Sequence, residues 1–113
     1  MSHASHPAAA ALDIGRDLAR RLGEVVDREA FAVILYGSCA RGTGDAESDV
    51  DLLVCFEGDD SAGVVQDAAL RIACDLTLAH GVLVSVLVAD RAFRDRRRGF
   101  SFLEAVEQDG VRV

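Results

Sequence analysis

Leu35-Tyr36-Gly37-Ser38-Cys39-Ala40-Arg41-Gly42-Thr43-Gly44-Asp45-Ala46-Glu47-Ser48-Asp49-Val50-Asp51-Leu52-Leu53-Val54 is the stretch on which the reading of this chain turns. It leaves an apolar strand and passes through a small, polar turn. It then runs into a second strand that opens with two carboxylates one residue apart. Side chains alternate across a strand, so Asp49 and Asp51 share a face. Two carboxylates on one face suit a hard, oxygen-seeking cation such as Mg²⁺. Gly37-Ser38 ends the first strand with bare backbone N–H groups and a hydroxyl, donors suited to phosphate oxygens. A phosphate seat beside a divalent-metal seat points to chemistry on a nucleoside triphosphate. A lone Asp-x-Asp is more often a solvated strand start, and a lone Gly-Ser a turn. The weight lies in the whole string.

Outward from this stretch the pattern alternates between helix and strand. Residues 1–10 are small and polar and read as a disordered N-terminal tail, leaving 11–113 as the folded domain. His3 and His6 belong to that tail. From Leu12 to Arg28, Ile14, Leu18, Leu22 and Val25 recur at helical spacing. The run from Phe31 to Tyr36 has the length and composition of a strand buried on both faces. Val50 to Phe56 is a second strand, and Ser61 is placed to cap a helix over Ala62–Ala79. Val65, Ala69, Ile72 and Leu76 line one stripe of that helix, and Gly81 stops it. His80 sits where a helix C-terminus favours a cation. Val82 to Val88 is a third strand. Asp90 caps a last helical region holding Phe93, Phe100, Leu103 and Val106. Gly110 ends it, and Val111-Arg112-Val113 adds a short edge strand. This order predicts an α/β (α+β) fold, a mixed sheet with flanking helices.

At 113 residues, half of them hydrophobic and 27% charged, the composition is that of one folded domain. No apolar run approaches the ~20 residues that span a membrane. No basic region followed by an apolar run opens the chain, so no secretory signal is expected. Cys39, Cys55 and Cys74 match no zinc spacing, and their odd number fits a reduced cytoplasm. Cys39 reads as a small loop filler. The net charge of −7 argues against broad binding to a phosphate backbone. Its distribution is uneven: seven acids and no base lie between Asp45 and Asp60, and five arginines with one acid between Arg91 and Arg98. The arginine cluster has three readings: a solvated helix face, a surface for acids of a partner protein, or a contact for an acceptor such as an RNA end.

Gly37-Ser38-Cys39-Ala40-Arg41-Gly42 followed by Ser48-Asp49-Val50-Asp51-Leu52 resembles the signature of the polymerase-beta-like nucleotidyltransferase superfamily, in its short prokaryotic branch of minimal nucleotidyltransferases. The resemblance covers roughly residues 31–113, beyond Val54 through element order and apolar pattern. It implies the nucleotidyltransferase fold. It implies that Gly37 and Ser38 contact the triphosphate and that Asp49 and Asp51 are catalytic metal ligands. Arg41 can steady the triphosphate by charge-assisted hydrogen bonds or pair with Asp45 or Glu47. The implied cofactors are Mg²⁺ and ATP. The implied reaction is transfer of a nucleoside monophosphate, AMP from ATP, to a protein or RNA hydroxyl. Relatives of this size act as antitoxins beside a helical partner of the HEPN type, so such a partner, and an oligomer, are expected.

One position departs from the pattern. The family's third carboxylate lies on the next strand, facing the first two. In Val82-Leu83-Val84-Ser85-Val86-Leu87-Val88 the only polar residue is Ser85. Serine is a poor Mg²⁺ ligand beside a carboxylate and a poor general base, and Asp90 lies too far along to replace it. Two functions therefore compete. One is an active nucleotidyltransferase, favoured by Gly37-Ser38 and Asp49/Asp51. The other is a catalytically weakened nucleotide-binding or toxin-neutralising module, favoured by Ser85. The site expectation is specific: Ser85 shares a sheet face with Asp51, on the neighbouring strand.

Overall fold

The computed structural model describes residues 9–37, 49–96, 106, 108 and 110–113. Helix α1 spans Ala9–Leu22 and a 3-10 turn Arg28–Ala30. Strands β1 (Phe31–Tyr36) and β2 (Val50–Phe56) follow, then α2 (Val64–His80), β3 (Val84–Ala89), the short α3 (Arg91–Arg96) and β4 (Val111–Arg112). The sheet order is β3-β2-β1-β4. β1 runs antiparallel to β2 and to β4, and β2 runs parallel to β3. The sheet is thus mixed, as the order of elements predicted. Its one parallel pair is joined through α2, since a parallel connection needs a long crossover.

Strand parity sorts the residues between two faces. Phe31, Val33 and Leu35 of β1, Val50, Leu52 and Val54 of β2, and Val84 of β3 turn to α1 and α2. There they meet Ile14, Leu18, Leu22, Val65 and Leu76 in the main core. Leu53 and Ala89 belong to the opposite face, where they cluster with Val106, Ile34, Tyr36, Leu87 and Phe93. β1 and β2 carry apolar residues on both faces, which explains their near-continuous hydrophobic runs.

Helix ends differ from the expectation in ways that polar chemistry explains. α1 starts at Ala9 and stops at Leu22, so Val25 falls beyond it and is 61% exposed. The helical spacing of Val25 was accidental. Ser61 is not the cap of α2. The Asp60 carboxylate accepts from the backbone N–H groups of Val65 and Gln66, both at 3.0 Å. Gly81 ends α2 as expected, at φ +72°, donating its N–H to the Thr77 carbonyl at 2.9 Å. The Thr77 hydroxyl accepts the Val84 N–H at 2.9 Å, which ties the helix end to the residue preceding Ser85.

Asp90 caps α3 as predicted, accepting the Phe93 N–H at 2.7 Å and the Asp60 N–H at 3.3 Å. These bonds, the Phe93 one foremost, hold its carboxyl below the usual range. A depressed folded-state pKa gives stability that is present above the ordinary value near 3.8 and lost as pH falls through the folded value. Asp90→Ala should therefore lower stability by about 0.5–2 kcal/mol at neutral pH. Chemical denaturation should show the gap to wild type closing as the pH is brought down through that range. A constant gap would assign the loss to packing.

Arg91 and Arg94 of α3 bond backward to the sheet. Arg91 donates to the Glu57 carbonyl at 2.8 Å and Arg94 to the Phe56 carbonyl at 2.9 Å, with Arg94 also 3.7 Å from the Glu57 carboxylate. These arginines satisfy carbonyls of the last residue of β2 and the one after it. Asp51 lies near its other end, five residues from Phe56, or about 16 Å of extended chain. Arg91 is exposed, as on a solvated helix face, yet both residues also bond to the sheet. They are fastenings of α3 to the sheet. Arg97, Arg98, Phe100 and Leu103 lie outside the described residues.

Candidate functional site

The site expectation is met at the end of the sheet where β1 finishes and β2 begins. Tyr36 pairs with Asp51 across the antiparallel β1/β2 ladder, and Asp51 pairs with Ser85 across the parallel β2/β3 ladder. Residues opposite one another in a sheet share a face. Tyr36, Asp51 and Ser85 thus form one row over three strands. All three are half-buried. Asp49, exposed and just before the strand, is near enough for its charge to act on Asp51.

Gly37 closes the row at the strand end. Its φ is +78°, a left-handed conformation that glycine adopts without steric cost. A Cβ built there would lie 2.8 Å from Oδ2 of Asp51. The backbone of Gly37 is therefore held directly against the carboxylate, a closeness only glycine allows. Gly37→Ala should combine about 1–2 kcal/mol of backbone strain with displacement of Asp51. Chemical denaturation should show a stability loss of at least that strain, and a variant as stable as wild type would mean that the turn relaxes away from Asp51.

Burial raises the Asp51 pKa, and the charge of Asp49 raises it further. Burial, then the Asp51 charge, likewise pushes the Tyr36 phenol up. Two like charges thus act on one another at a partly buried end of the sheet. Hard carboxylate oxygens in such a setting fit a divalent cation that keeps several waters. Among the described residues no group of three or more His, Cys, Asp or Glu side chains is placed to hold a metal. The residue paired with Asp51 on β3 is Ser85.

Ser38 and Arg41 lie outside the described residues, as do Cys39 and Ser48. Tyr36 is the member of the row that the motif did not single out. Its parity was legible: Leu35 belongs to the helix-covered face, so its neighbour belongs to the other.

A family model described as nucleotidyltransferase domain matches residues 18–108. The chain belongs to the nucleotidyltransferase domain family. Two Methanocaldococcus jannaschii proteins, each named "Putative protein adenylyltransferase", are similar to this nucleotidyltransferase-domain chain. One is 33% identical over 98 residues, covering 87% of this chain and 89% of the relative. The other is 30% identical over 78 residues, covering 69% and 72%. A crystal structure of a toxin–antitoxin with AMP-PNP superposes with a TM-score of 0.55 at 19% identity, over 85% of this chain and 69% of that one. At that identity the likeness is one of fold. Among the described residues no helix is long and apolar enough to cross a membrane.

Proposed function

We propose that this protein transfers a nucleoside monophosphate, AMP from Mg²⁺-ATP, to a hydroxyl of a partner macromolecule. The observation that carries the reading is the pair Asp49 and Asp51, near enough for their charges to act on one another at the sheet end, with Gly37 held against Asp51. Gly37 and Ser38 would present N–H groups and a hydroxyl to the triphosphate, with Arg41 steadying it. Asp49 and Asp51 would hold Mg²⁺, which when bound neutralises charge on the entering and leaving oxygens. The acceptor hydroxyl gives its proton to water as its oxygen bonds to the α-phosphorus, and the bond from that phosphorus to the bridging oxygen breaks, releasing pyrophosphate. A protein acceptor is supported by the names of the relatives. A toxin partner, of the helical HEPN type, is supported by the toxin–antitoxin neighbour and the sequence resemblance. The RNA hydroxyl is the competing acceptor.

Ser85 in register with Asp51 favours a second reading, a module that binds the nucleotide and the partner without turnover. One experiment separates the two. The protein is incubated with its neighbouring gene's product and with ATP labelled at the α-phosphate or at the γ-phosphate. Label passing to the partner from α-ATP alone supports transfer, and digestion with protease or ribonuclease identifies the acceptor. Mg²⁺-ATP binding without transfer establishes the second reading. Absence of binding overturns both.

A further inference from the structure

The outer face of α2 carries an apolar ridge. Leu70, Cys74 and Leu78 follow one another at i, i+4 and i+8. The two leucines are 44% and 84% exposed, and Cys74 is exposed and free of any disulfide. The opposite side of the helix, with Val65, Ala69, Ala73 and Leu76, is buried against the sheet and α1. The ridge is therefore additional to the core-facing stripe. Arg71 and Asp75 flank it on one side. Among the described residues neither forms an ion pair, although their separation of four would permit one.

The ridge reads the same in both directions about Cys74, with a leucine four residues before and a leucine four after. Such a pattern is self-complementary under a two-fold axis, the commonest symmetry of soluble oligomers. With two antiparallel helices crossing at Cys74, Leu70 of each copy lies against Leu78 of the other. The i, i+4 ridges then interdigitate. The small cysteine at the crossing lets the backbones approach. The same operation brings Arg71 of each copy beside Asp75 of the other, so the flanking charges make two opposite-sign pairs. A parallel two-fold arrangement would put the Arg71/Asp75 flanks of the two copies on opposite sides of the seam, where these charges do not meet. Charge thus selects the antiparallel pairing.

We propose that the Leu70-Cys74-Leu78 face of α2 is the contact surface of an antiparallel homodimer, with Cys74 at the two-fold axis. One helix per subunit buries less than the ~1,600 Å² of a standard interface, so dimerisation is concentration-dependent. Sedimentation velocity from low micromolar upward should show a shift toward twice the 12.0 kDa monomer mass. A short bis-maleimide should link two copies through a peptide pair that contains Cys74 on both sides. Leu78→Glu, at a position too exposed to threaten the fold, should weaken the dimer at least about tenfold. Arg71→Asp and Asp75→Arg should each weaken it, and the double variant should restore it. A monomer at every concentration overturns the proposal. So does a dimer that Leu78→Glu leaves unchanged, or a cross-link that forms without Cys74. The measurement needs no nucleotide, so its outcome stands apart from the transfer assay.

Discussion

Asp51→Asn should melt higher than the wild type in metal-free buffer and gain almost nothing from Mg²⁺-ATP. The two effects have opposite signs and one cause. In the folded protein, burial and the neighbouring Asp49 raise the Asp51 pKa, so ionised Asp51 costs folding free energy. A raised folded-state pKa gives stability that is full below the ordinary value of 3.8 and lost as pH rises through the folded value. Above the folded value the ionised form bears that loss, and the uncharged amide avoids it. The metal-free advantage of the variant should accordingly shrink toward pH 4 and below.

On the proposed function the same charge holds Mg²⁺, and the amide lacks it. A ligand at a hundredfold excess over its Kd stabilises by about 2.7 kcal/mol, of order 10 °C for a domain of this size. The variant should lose most of that gain. Transition-state stabilisation by a metal is worth several kcal/mol, so transfer should fall by about 10³-fold or more. Differential scanning fluorimetry with and without Mg²⁺-ATP, beside the labelled transfer assay, reads all three. A variant that keeps the full Mg²⁺-ATP shift would make Asp51 a surface acid and remove the metal from this end of the sheet.

How much of this was legible in the sequence depended on which physics set each feature. Strand bounds came out at Phe31–Tyr36 and Val50–Phe56 because a buried strand must be apolar along its length and polar turns bracket it. Facing followed from parity. Once Asp51 and Ser85 were on parallel neighbours, only register remained open, and Val50 opposite Val84 fixed it by burying both valines. Helix ends were less legible, because several residues near each end could serve as the cap. Asp60 and Ser61 were equally suited by type, and only the fold brought the Asp60 carboxylate to the N–H groups of Val65 and Gln66. The bonds from Arg91 and Arg94 to carbonyls more than thirty residues away were beyond any local pattern. Long-range partners are set by tertiary packing. For the site, residue type and spacing carried the expected chemistry, while the contact of Gly37 with Asp51 needed coordinates.

Ser85→Asp tests whether Ser85 occupies the place where the sequence resemblance expects a third carboxylate. In parallel strands the side chains of paired residues lie side by side, about 5 Å apart. An aspartate at 85 would therefore set a carboxylate next to Asp51, on the face that also carries the half-buried Tyr36, with Asp49 nearby. Three carboxylates form a stronger donor set for Mg²⁺ than two. The added group is also a base within reach of an acceptor hydroxyl, and general-base help is worth roughly 10²–10⁴-fold in rate. If the wild type is slow for want of that base, transfer should rise within this range. Without metal the new carboxylate is partly desolvated beside two like charges, which costs stability. The melting temperature should drop in chelator and recover in Mg²⁺, so the variant should depend on Mg²⁺ more than wild type does. Ser85→Asn supplies the control: it adds similar bulk without charge and should show neither the rate gain nor the enlarged Mg²⁺ dependence. Equal destabilisation of Ser85→Asp with and without Mg²⁺, and no gain in transfer, would mean that the metal does not reach β3. In that case wild-type turnover would not be limited by the missing carboxylate, and weakened catalysis could no longer be argued from Ser85.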